Sequence, residues 1–164
     1  MGIEFNADEI LEMAQQIERN GAKFYRKASE GAKTPKVRQM LLDLAAWEDR
    51  HEQVFAEMRK QLTQQERTTN LFDPYDEASL YLKAMADGHV FDVKADPASR
   101  LTGKEPMEQV FKTAIGLEKD SIVFYLGLRG MVPERLGEGK IDDIIKEEMG
   151  HITFLSKQMA EGNG

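Results

Sequence analysis

No cysteine occurs among the 164 residues. That excludes disulfides, thiolate metal ligands and a rubredoxin-type iron centre carried by this chain. No window reaches about 18 consecutive apolar residues, so no membrane span is expected. The first sixteen residues are acidic and amphipathic, without the basic start and apolar stretch of a secretory signal. Positive charge is also short. Lys and Arg number 22 against 29 Asp and Glu, a net charge of −7, and no basic run could follow a phosphate backbone. Nucleic acid and anionic membrane are therefore not expected as partners, and a cytoplasmic location is the expectation. The five prolines, at 35, 74, 97, 106 and 133, all lie outside the interiors of the periodic stretches, so nothing interrupts a helix.

What is present is enough apolar residue, 41%, for one domain over 1–164 with a proper core. Asn6 and Glu9 form a capping-box pattern, and Ile10, Met13, Ala14, Ile17, Phe24 and Ala28 carry a helix over about 7–30. Thr34 and Pro35 restart a helix that the pattern extends to about 66. Turn formers then dominate 67–105, read as a long crossover with one short helix over about 76–87. Two further helices follow, over about 106–129 and 140–160. The fold class expected is all-α, an up-down-down-up four-helix bundle.

Within the last helix, Glu148 and His151 stand three residues apart inside the frame Ile141, Ile144, Ile145, Ile152, Leu155 and Met159. That spacing points both groups where the isoleucines point, into the core. An unpaired carboxylate there is costly, so something positive must face it. Glu48 and His51 repeat the device one hundred residues earlier, and Glu18 and Glu118 form a third pair at the same offset. A lone Glu-x-x-His on a helix is usually solvated surface; the shared offset and apolar flanks favour a metal site instead. The turns near residues 33 and 133 lie midway between the glutamates of each antiparallel pair, which levels them along the bundle.

Four carboxylates and two imidazoles suit iron or manganese and tolerate zinc. Two divalent ions would neutralise the four negative charges. Glu48 and Glu148 are expected to lie between the metals, His51 and His151 to hold one each, and Glu18 and Glu118 to complete one each. Glu52 and Glu147 are left out, because their counterparts are Ile152 and Trp47. Tyr25 is read as core, and His89 as a surface or packing residue.

The segments Ile17-Glu18 with Phe24-Tyr25, Glu48-Asp-Arg-His51, Leu117-Glu118 with Phe124-Tyr125, and Glu148-Met-Gly-His151 together resemble the ferritin-like superfamily, most closely its rubrerythrin-like branch. The resemblance implies a di-iron centre of two Fe ions per chain that reacts with hydrogen peroxide or dioxygen, in a homodimer or larger assembly. Two departures stand out. Ser121 occupies the place where rubrerythrins usually carry a second carboxylate on the third helix, and without cysteine the electrons must come from a separate donor protein. Asp49 stands where bacterioferritin has its haem-ligating methionine, so haem is not expected. The other functions in view are iron storage with ferroxidase activity and a bundle that holds metal structurally.

Overall fold

The computed structural model of the chain describes residues 5–69, 80–81, 84, 96–137 and 139–162. Helix α1 spans Ala7–Glu30 and α2 Pro35–Lys60; α3 is the short Gln64–Thr68; α4 spans Met107–Leu128, α5 is the single turn Glu134–Gly137, and α6 spans Lys140–Ala160. A 3₁₀ turn, Pro97–Arg100, leads into α4. The fold is the ferritin-like all-α bundle expected, with α1 packed along α2 and α4 along α6. No helix among the described residues is long and apolar enough to cross a membrane.

Local chemistry sets the helix ends. The Asn6 side chain accepts from the Glu9 amide at 2.9 Å while the Glu9 carboxylate accepts from the Asn6 amide at 3.0 Å, so two otherwise orphaned donors are satisfied at the start of α1. Thr34 caps α2 through the Val37 amide, with Pro35 in the first turn where its missing N–H costs nothing. Gly139 precedes α6 at φ +76°, a conformation that other residues adopt only with strain.

The second helix is shorter than the pattern suggests. It ends at Lys60, and α3 restarts with its own capping box between Thr63 and Glu66. Leu62, between the two, stays buried in the same core as Phe55 and Met58. The short helix expected over 76–87 falls mostly outside the described residues, as does His89; Leu80, Tyr81 and Ala84 within it are helical. Tyr81 donates to the Val123 carbonyl and lies on Gly127, where a Cβ would come 2.5 Å from its ring. Crossover and α4 therefore meet where α4 has no side chain.

The apolar interior comes in two parts. One gathers residues such as Ile10, Leu11, Phe55, Leu128 and Ile144. The other gathers Phe24, Leu41, Leu44, Phe111 and Leu155. Along each long helix the buried site residues lie between them. On α1 the sequence runs from Ile10 past Glu18 to Phe24, and on α2 from Leu41 past Glu48 and His51 to Phe55.

Candidate metal centre

All six site residues read from the sequence are buried: Glu18 and Glu148 at 0% exposure, His51 at 2%, Glu118 at 3%, Glu48 at 4% and His151 at 8%. They form two overlapping clusters. Glu18, Glu48, His51 and Glu148 bring one donor atom each within 4.8 Å of one another, and so do Glu48, Glu118, Glu148 and His151. Glu48 and Glu148 belong to both. Each half of the chain therefore supplies one shared carboxylate, one histidine and one outer carboxylate.

Both imidazoles turn Nδ1 inward. His51 Nδ1 lies 3.0 Å from Glu148 Oε1 and 3.6 Å from Glu18 Oε2; His151 Nδ1 lies 2.9 Å from Glu148 Oε2 and 3.5 Å from both Glu48 Oε1 and Glu118 Oε1. Four buried atoms make no hydrogen bond among the described residues: Glu18 Oε2, Glu48 Oε1, His51 Nδ1 and Glu148 Oε1. They are one from each member of the first cluster. A buried polar atom left unpaired costs about 1–3 kcal/mol, more if charged, and four converging ones are the expected form of a ligand set. The donors, oxygen and imidazole nitrogen, fit iron, manganese or zinc.

Without a cation the cluster can limit its charge only by holding protons. Burial, then repulsion from Glu148, pushes the Glu118 carboxyl up to about 8. The same two causes raise Glu18 and, more strongly, Glu48. For the histidines burial alone would favour the neutral ring, but the surrounding carboxylates outweigh it and lift His51 to about 11 and His151 to about 9. Burial also opposes the charge on Glu148, yet His151 and His51 beside it hold its carboxyl well below the usual range.

Two tyrosines touch the site, one of them Tyr25, which the sequence pattern reads as core. Tyr25 on α1 donates its hydroxyl to Glu118 Oε1 on α4, and Tyr125 on α4 donates to Glu18 Oε1 on α1. The exchange is reciprocal, each half tethering the outer carboxylate of the other. Burial and the neighbouring carboxylates push both phenols well above their usual pKa, so they stay protonated as donors. The signal was there in the sequence, since Tyr25 and Tyr125 repeat at the same hundred-residue offset; what misled was the two-turn distance from the glutamate on the same helix, when the glutamate bound is on the other one.

Glu147, set aside from the sequence, has its Oε2 2.6 Å from His51 Nε2. It touches the outer edge of the imidazole and belongs to neither cluster. Glu52 lies apart, paired with Arg19 at 2.9 Å. Ser121 is buried and donates to the Leu117 carbonyl at 3.0 Å, so it contributes no carboxylate. Trp47 has its ring 6.5 Å from His51 and 6.1 Å from His151, under the Arg50 guanidinium. A cavity of about 430 Å³ opens between α2 and α6, lined by Met40, Leu44, Trp47, Glu147, His151 and Phe154.

Gly21 makes room for the site. A Cβ there would come 2.8 Å from Glu48 Oε2 and 3.3 Å from its Cδ. Gly21→Ala should raise helix propensity by about 1 kcal/mol, yet it must push the shared carboxylate aside. The expected result is an undiminished melting temperature without metal and metal affinity at least about tenfold weaker, read by calorimetric titration.

Four long helices around paired carboxylates and histidines define the class: a ferritin-like bundle with side chains grouped to take a dimetal carboxylate centre. A solved structure from Thermotoga maritima, described as a ferritin-like diiron-carboxylate protein, aligns with a TM-score of 0.71 at 22% identity and covers 97% of both chains. No curated protein matches the chain. The family model described as Rubrerythrin matches residues 9–94, more than half of the length, and the chain belongs to that family.

Proposed function

We propose that this protein is a non-haem di-iron oxidoreductase that reduces hydrogen peroxide with electrons from a separate donor protein, acting as a homodimer. The observation that carries the reading is the doubled cluster: two histidines and four glutamates, buried and sharing Glu48 and Glu148. Glu48 and Glu148 would be shared by the two iron ions, with Glu18 and His51 holding one and Glu118 and His151 the other. A ferrous pair supplies two electrons at adjacent positions, which together with two protons convert one peroxide into two waters.

The rest is the work of the chain. Four carboxylates offset the charge of two divalent ions, so the filled interior is close to neutral. Tyr25 and Tyr125 fix the outer carboxylates, and at Glu18 the second oxygen is left to face His51. The flanking apolar layers keep bulk water from the centre, while the cavity beside His151 admits a small oxidant. With no cysteine for an iron–sulfur or rubredoxin centre in these residues, the electrons arrive from outside.

Stopped-flow mixing of the diferrous protein with peroxide tests this. Oxidation within seconds, with one peroxide consumed per two ferrous ions, is the expected result. Iron that remains ferrous for minutes overturns it. Native mass spectrometry reads the assembly, where a shell of many subunits would favour iron storage instead.

A further inference from the structure

The hundred-residue offset joins Glu18 to Glu118, Tyr25 to Tyr125, Glu48 to Glu148 and His51 to His151. Beside the shared glutamates it breaks: Trp47 faces Glu147. The break falls where each half meets a histidine. On one side the Glu147 carboxylate is 2.6 Å from His51 Nε2. On the other, the Trp47 ring approaches His151 edge-on at 6.1 Å and offers no acceptor in its plane.

We propose that Glu147 is a positioning residue that makes the two metal positions unequal, so that a divalent cation fills Glu18, Glu48, His51 and Glu148 first and the Glu118 and His151 position second. The inference rests on the dimetal reading of the site but not on its redox chemistry. An imidazole binds metal through the nitrogen that carries no proton, and the partner of the other nitrogen decides which one that is. Glu147 accepts from Nε2–H, so the nitrogen of His51 left to take an ion is Nδ1, which faces the cluster.

Two further observations agree. Of the four buried atoms without a hydrogen bond, Glu18 Oε2 and His51 Nδ1 belong to the His51 cluster alone, the other two sit on the shared glutamates, and none belongs to Glu118 or His151, whose Nδ1 is hydrogen-bonded to Glu148 Oε2 at 2.9 Å. The His151 side chain is also the more open, 10% exposed against 3% for His51, and borders the cavity beside Trp47. His51 borders a cavity of about 410 Å³ of its own beside Trp47, so the difference lies in exposure, and the second position is the one with the more open histidine.

Titration of the metal-free protein with Co²⁺, followed by calorimetry and by the visible absorption of the ion, tests the proposal. Wild type should bind in two steps at least about tenfold apart, and Glu147→Ala should weaken the tighter step about 10–100-fold, the range for loss of a hydrogen-bond partner behind a ligand. Glu147→Gln, whose amide oxygen still accepts from Nε2–H, should restore most of it. Glu118→Gln should keep the tight step and Glu18→Gln lose it, which assigns the steps to the two halves. Glu52→Ala, on the surface pair with Arg19, should change neither. Two indistinguishable steps in wild type, or a tight step untouched in Glu147→Ala, overturns the proposal while leaving the dimetal reading intact. No Co²⁺ bound by wild type overturns both.

Discussion

Glu48→Gln is expected to cost the protein both metal ions rather than one, leaving the helices in place. Glu48 belongs to both clusters, so its loss removes a donor from each and lowers the negative charge available to two divalent ions by a quarter. Burial, with Glu148 and Glu118 close by, already pushes its carboxyl well above the usual range, so the metal-free protein favours its uncharged form. A glutamine has nearly that shape and the same lack of charge. The melting temperature without metal should therefore stay the same or rise, and helical circular dichroism should not change. The rise in melting temperature on adding metal should disappear. In wild type that rise reflects mass action, about 4 kcal/mol for a site offered a thousandfold excess of ion over its dissociation constant. Retention of two ions per chain by Glu48→Gln would show that it does not bridge.

The second large effect is a change in the sign of pH dependence with metal content. In the metal-free fold Glu118 at about 8, His151 at about 9 and His51 at about 11 all keep protons that the unfolded chain releases at ordinary carboxyl and imidazole values. Between pH 7 and 9 the native state thus binds more protons than the unfolded one, and stability falls as pH rises. Each such proton is worth about 1.4 kcal/mol per pH unit. Glu148, held low, is ionised in both states over that window and contributes no slope. A bound cation displaces the same protons, so metal binding releases protons and strengthens as pH rises through the range. Thermal melts at pH 7 and 9, with and without metal, should diverge: the metal-free protein loses stability while the gain on adding metal grows. Parallel curves would mean that these six groups do not share a proton-or-metal choice.

Much of this was legible along the chain. The apolar frame of Ile141, Ile144 and Leu155 by itself places Glu148 and His151 inward, because the 3.6-residue repeat fixes which side chains share a face. The repetition at Glu48 and His51 then turned a common pattern into a specific one. Where helix ends depend on contacts further off, the sequence was weaker. The pattern through Glu66 gave no sign that α2 would end at Lys60 and the chain restart at the Thr63 cap.

The side chains around the six were decided by packing between elements. Tyr25 lies two turns from Glu18 but bonds Glu118, and Glu147 projects beside its shared neighbour to reach His51 on α2. Neither partner is near in sequence, so no spacing rule along one helix could find them. Periodicity and repetition, both local properties of a chain, determined by themselves that this protein is a helical bundle with acid and imidazole turned inward. Which oxygen meets which ring, and that Glu147 reaches His51 while Trp47 approaches His151, followed only from the approach of four helices, since those distances are set by how their side chains interlock.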